Sequence, residues 1–152
     1  MILYHFTAAE YLDVIQRDGL SKGGVPLAKT QGINAVWLTT DSEPEGHGLT
    51  DGHVLTADER AAWGRVFGRE PPPPGARFPN KRAVRITVKI PSSDKSLVHW
   101  PRWARKRLEP SWYDALNRTA SGGRKGQERT WWLYFGVISP DRFAAVEILD
   151  AL

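Results

Sequence analysis

Residues 83–90 place Val84, Ile86, Val88 and Ile90 in strict alternation with Arg85, Thr87 and Lys89. A period of two sends every apolar side chain to one face of an extended chain and every polar one to the other, an arrangement no helix provides. This stretch is therefore read as a half-buried strand, stopped by Pro91. A strand of that kind must pair with others, and residues 2–6, 35–40, 130–136 and 145–149 supply short apolar runs that qualify. The last two are joined through Ser139-Pro140-Asp141.

Helices come from capping signals. Thr7-Ala8-Ala9-Glu10 has capping-box spacing and predicts a helix from Ala8, with Tyr11, Leu12, Val14 and Ile15 on the apolar side and Gly19 closing it. Thr56 and Glu59 repeat the box ahead of Trp63, Val66 and Phe67, and the prolines of 71–74 end that helix. Residues 99–108 and 111–117 read as two short helices parted by Pro110. Residues 20–34 read as a loop because of Gly23, Gly24, Pro26 and Gly32, and residues 119–126 as a basic, glycine-rich loop. Helices early and strands late predict an α+β domain with a mainly antiparallel sheet, in one unit over 1–152.

The chain contains no cysteine, which excludes disulfides, thiolate metal sites and a cysteine nucleophile. Its net charge of +4 favours anionic partners, although an ordinary basic surface accounts for it equally well. No apolar run approaches a membrane span and the N-terminal residues are unlike a signal peptide, so a soluble, cytoplasmic protein with no membrane partner is expected. No phosphate loop, dinucleotide-binding glycine fingerprint or Gly-x-Ser-x-Gly turn is present. Asp41, Glu43, Glu45, His47, Asp51 and His53 are possible metal ligands without metal spacing, and the expectation is no metal.

The stretch Leu3-Tyr4-His5-Phe6-Thr7, then VIQRDGL, a Gly/Pro loop and NAVWLTTD, resembles the opening of the ADP-ribosyltransferase superfamily over residues 3–41. That superfamily includes the poly(ADP-ribose) polymerases, DNA-modifying toxins and tRNA 2′-phosphotransferases. The resemblance implies a split, mainly antiparallel sheet with flanking helices and NAD as co-substrate. It implies that His5 and Thr7 contact NAD, that Trp37, Thr39 and Thr40 line the same cleft, and that Trp63 stacks on nicotinamide. It also implies a catalytic glutamate behind an acceptor-facing loop, a place that Glu128 fits after Arg124, Lys125 and Gln127. Glu147 fits that place less well. Gly126 stands two residues before Glu128, where arginine- and asparagine-directed members carry glutamate or glutamine, which argues against those acceptors.

Each residue also has a plain structural reading: His5, Trp37 and Trp63 as core, Thr39 and Thr40 as a strand end, Glu128 as a solvated carboxylate beside Arg129. A second constellation, Trp103, Arg105 and Arg107 among Trp100, Arg102, Lys106, Trp112 and Tyr113, mixes cations with aromatics as phosphate- and base-binding surfaces do. An amphipathic helix with its tryptophans inward explains the same residues. Three functions stay open: ADP-ribosyl transfer to a nucleic-acid or protein acceptor, RNA 2′-phosphate transfer, and a non-enzymatic nucleic-acid or protein binding module built on residues 99–117.

Overall fold

A computed structural model describes residues 1–149, the side chain of Phe67 excepted; Asp150, Ala151 and Leu152 lie outside the described residues. The chain is α+β. Six strands form an antiparallel sheet in the order β6-β7-β4-β1-β5-β8, comprising Leu97–His99, Trp131–Tyr134, Val36–Thr39, Ile2–Thr7, Val84–Lys89 and Phe143–Ile148. The alternating stretch β5 sits between β1 and β8, with Val84, Ile86 and Val88 fully buried. Each contributes roughly 1.5–3 kcal/mol of burial.

The sheet is covered on both faces. On one face Leu3, Val36, Leu38, Ile86 and Tyr134 pack with Leu12 and Ile15 of helix α1, Leu12–Asp18. On the other, Trp131 and Leu133 pack with Trp100 and Ala104 of α3, Trp100–Arg105, and Tyr113 of α4, Pro110–Ser121. Helix α2, Ala57–Phe67, carries the capping box at Thr56 and Glu59 as expected and ends at Gly68. Among the described residues no helix is long and apolar enough to cross a membrane.

Four local expectations are corrected. Thr7 does not cap a helix: it is the last residue of β1, and a 3-10 turn, Ala9–Tyr11, intervenes before α1. The loop expected at 20–34 contains a hairpin, β2 Gly24–Ala28 with β3 Gln31–Asn34. The indole N–H groups of Trp37 and Trp112 donate to the carbonyls of Gly24 and Pro26 at 2.8 and 3.1 Å, so tertiary bonds hold what glycine and proline would loosen. Helix α4 runs on to Ser121, using Thr119, Ala120 and Ser121 before Gly122 closes it. His99 ends strand β6 instead of opening a helix. Gly19 does close α1, at φ +88°, and any Cβ there would stand 2.4 Å from the Ile138 carbonyl oxygen.

Candidate functional site

Strand β1 pairs with β5 along its whole length, from Ile2 opposite Lys89 to Thr7 opposite Val84, but meets β4 at one position, Tyr4 opposite Thr39. The sheet is thinnest at this junction. His5 lies there, half-buried, and its Nδ1–H donates to the Trp37 carbonyl at 2.8 Å. A carbonyl only accepts, so the proton sits on Nδ1 and the neutral ring presents Nε2 as a bare acceptor. Burial lowers the His5 pKa against the effect of the Trp37 bond, and the charge of Lys81 lowers it further, so the ring is neutral at pH 7. Nε2 has no protein partner among the described residues.

Lys81 also lines a cavity of about 530 Å³ with Tyr11, Thr50, Glu59, Trp63 and Phe78. That volume lies within the roughly 300–1,000 Å³ of small-molecule sites. Trp63 stacks on Phe78 at 5.4 Å and 24° within its wall.

The residues expected on β4 are engaged otherwise. The Trp37 ring packs 4.8 Å from Trp100 and edge-on to Trp131, so it belongs to the core and meets His5 through its carbonyl. Thr39 is buried; its hydroxyl donates to that of Thr130 and accepts the Asp41 N–H. Thr40 is exposed, and its N–H donates to the Thr130 carbonyl. Thr7 is buried at the end of β1.

Asp41, Glu43 and His47, read from the sequence only as possible metal ligands, join Gln127 and Trp131 in a polar network that closes the end of β4. The Trp131 indole donates to His47 Nδ1 at 2.8 Å, which leaves His47 Nε2–H to donate to the Glu43 carbonyl and the Asp41 carboxylate at 3.0 and 3.2 Å. Gln127 donates to the same carboxylate at 3.1 Å. Burial lowers the His47 pKa despite Asp41. Burial pushes the Asp41 carboxyl up, but the Glu43 N–H, Gln127 and His47 outweigh it and lower its pKa overall. Both His47 nitrogens are satisfied, so the ring is a strut and not a free base. Asp51 and His53 belong to a separate cluster, in which Asp51 and Glu59 flank His53.

Glu128 occupies a 3-10 turn, Gln127–Thr130, that leads into β7. It is half-buried and, among the described residues, its carboxylate makes no hydrogen bond or ion pair, with Arg129 or otherwise. It lines a cavity of about 200 Å³ with Arg105, Leu108, Tyr113, Asp114 and Asn117. These residues belong to the α3–α4 side, whereas His5 stands opposite Ile86 on the α1 side, because directly paired residues share a face. Trp63 and Glu128 line different cavities, and His5 is in the lining of neither. Glu147 is ion-paired with Arg85 at 3.1 Å on the edge strand β8.

The expected acceptor residues divide. Arg124 and Lys125 are exposed before Glu128, and Arg124 reaches the Glu45 carbonyl at 3.5 Å. Gln127 is committed to Asp41. Trp103 is half-buried against Phe135, with the Arg107 guanidinium over its ring at 4.8 Å; Arg105 lies over Tyr113 at 5.7 Å. Trp100, by contrast, is core, and its indole donates to Asn117 Oδ1 at 2.9 Å. The Tyr113 hydroxyl is buried without a partner among the described residues, at a desolvation cost of about 1–3 kcal/mol. Lys81, Phe78 and Asn117 carry no motif and Tyr113 belongs to the cation–aromatic constellation; only the fold brings them to these cavities.

Comparison with protein-family models, with curated proteins and with solved structures finds no match to this chain.

Proposed function

We propose that the protein is an NAD-dependent ADP-ribosyltransferase that moves ADP-ribose to a macromolecular acceptor and releases nicotinamide. The observation that supports this reading is the β1–β4 junction, where one pair joins two strands and His5 offers an unpartnered Nε2. The neutral acceptor nitrogen suits a ribose hydroxyl, which donates to it; a phosphate oxygen would need a donor. Lys81 is the cation on hand for the pyrophosphate, and the Trp63–Phe78 pair is an aromatic platform beside it.

In the reaction the bond from ribose C1′ to the nicotinamide nitrogen breaks, and nicotinamide leaves with the electron pair. Glu128 offsets the positive charge on the ribosyl carbon and takes the proton of the acceptor nucleophile as that nucleophile bonds to C1′. Its carboxylate is free for this task, but it faces the α3–α4 cavity. Catalysis therefore requires the turn to carry Glu128 toward the junction. Gly122, Gly123 and Gly126, all at positive φ, give the preceding segment that freedom.

Purified protein incubated with NAD should release nicotinamide, and NAD should raise its melting temperature. If neither occurs at millimolar NAD, with and without nucleic acid or cell lysate as acceptor, the reading is wrong.

A further inference from the structure

From Arg102 to Arg129 the chain carries eight cationic side chains against three carboxylates, more positive charge than the +4 of the whole sequence. Arg102, Arg105, Lys106, Arg107, Arg118, Arg124, Lys125 and Arg129 are all exposed, and none forms an ion pair among the described residues. Helices α3 and α4 and the Gln127–Thr130 turn pack against one another, so these cations share one region of the surface. Ion pairs among the described residues hold Arg17 to Asp18, Arg85 to Glu147 and Arg142 to Asp94, all outside this region.

The 200 Å³ cavity opens within this region, with Arg105 on its rim. Tyr113 lines it, 95% buried and with its hydroxyl unpartnered among the described residues, together with Asn117, Asp114 and Glu128, whose carboxylate has no ion pair. Side chains that can donate and accept hydrogen bonds thus line a space smaller than a drug-sized pocket, suited to one flat heterocycle with both donors and acceptors on its edge. A guanidinium or amine would match the carboxylates, but the surrounding cations repel it. A base carried on a phosphate chain satisfies both the cavity and its rim.

We infer that the α3–α4 surface binds single-stranded nucleic acid, with one unstacked base seated in the cavity lined by Tyr113, Asn117, Asp114 and Glu128 while the flanking cations hold the phosphates. Duplex keeps its bases stacked and cannot fill the cavity without the cost of flipping one out. As the acceptor of the proposed transfer, the strand would rest on that reading; the binding itself needs no NAD.

The test is fluorescence anisotropy of the intact protein, without NAD, with labelled mixed-sequence single strands of DNA and RNA, the same strands carrying abasic sugars, and duplex. Either intact strand should bind, with affinity falling as salt rises. Duplex and abasic strands should bind about tenfold more weakly. Tyr113→Phe, which keeps the ring, should weaken the intact strand severalfold and leave the abasic strand unchanged, while Arg105→Glu with Arg107→Glu, both exposed, should abolish binding of all. Equal binding of abasic and intact strands, salt-independent binding, or equal competition by an acidic peptide would overturn the inference. Nicotinamide release without strand binding keeps the transfer and overturns this acceptor; strand binding without release does the reverse.

Discussion

His5 and Trp37, 32 residues apart, meet through one hydrogen bond of 2.8 Å from the imidazole Nδ1–H to the backbone carbonyl. The bond lies where β1 and β4 share a single paired position, so the side chain occupies the place of a missing ladder bond. One nitrogen is thereby structural and the other is free.

If Nε2 accepts a ribose hydroxyl, His5→Ala should raise KM for NAD about tenfold or more, with a smaller fall in kcat, because a binding interaction common to ground and transition states is lost. Steady-state nicotinamide release measures both. The variant also leaves the Trp37 carbonyl unpaired, so its melting temperature must be taken alongside.

Glu128→Gln should lower kcat at least a hundredfold while changing stability by no more than about 0.5 kcal/mol, since the carboxylate has no partner to lose. Single-turnover assays and thermal melting separate the two effects. A fully active Glu128→Gln enzyme would remove Glu128 from the chemistry.

His5 and His47 both have pKa values lowered by burial from the ordinary 6.5. Below that pH the unfolded chain takes up protons that the folded ring refuses, so stability should fall as pH drops from about 6.5. Asp41, with its lowered pKa, adds stability above the ordinary carboxylate range that is lost only in stronger acid. His53 has the opposite sign, raised by Asp51 and Glu59, but it is exposed and solvent screens it. Melting temperatures at pH 7.5 and 5.5 should therefore differ, with the acidic value lower.

Replacing His47 with Phe keeps a ring near Phe6, 6.1 Å away, but leaves the buried Trp131 indole without its acceptor. The expected loss is about 1–3 kcal/mol, or roughly 2–10 °C in Tm. Adding Trp131→Phe removes the donor as well, so the double variant should lose less than the sum of the singles. Additive losses would mean that shape, and not the hydrogen bond, holds the loop.

Much of the fold is legible in local chemistry. The Thr56–Glu59 box, the Gly19 stop and the alternation of β5 each appear as read, because each depends on residues within one turn or one strand. The β2–β3 hairpin is not legible, since indoles from β4 and α4 hold it. Nor is the helical state of Thr119, Ala120 and Ser121, which a glycine-rich neighbourhood conceals until packing extends α4.

For the candidate site the division is sharper. The sequence alone determines which groups are available: a histidine after an apolar run, a glutamate behind three glycines, and eight cations within residues 102–129. Only the tertiary structure decides what they face. Strand register puts His5 on the α1 side; the turn before β7 opens Glu128 to the α3–α4 side, and helix packing brings Tyr113 to the lining of the same cavity. The physical reason is that side-chain direction follows a strand's period of two, whereas the partner across the sheet is set by register over dozens of residues, which no local pattern encodes.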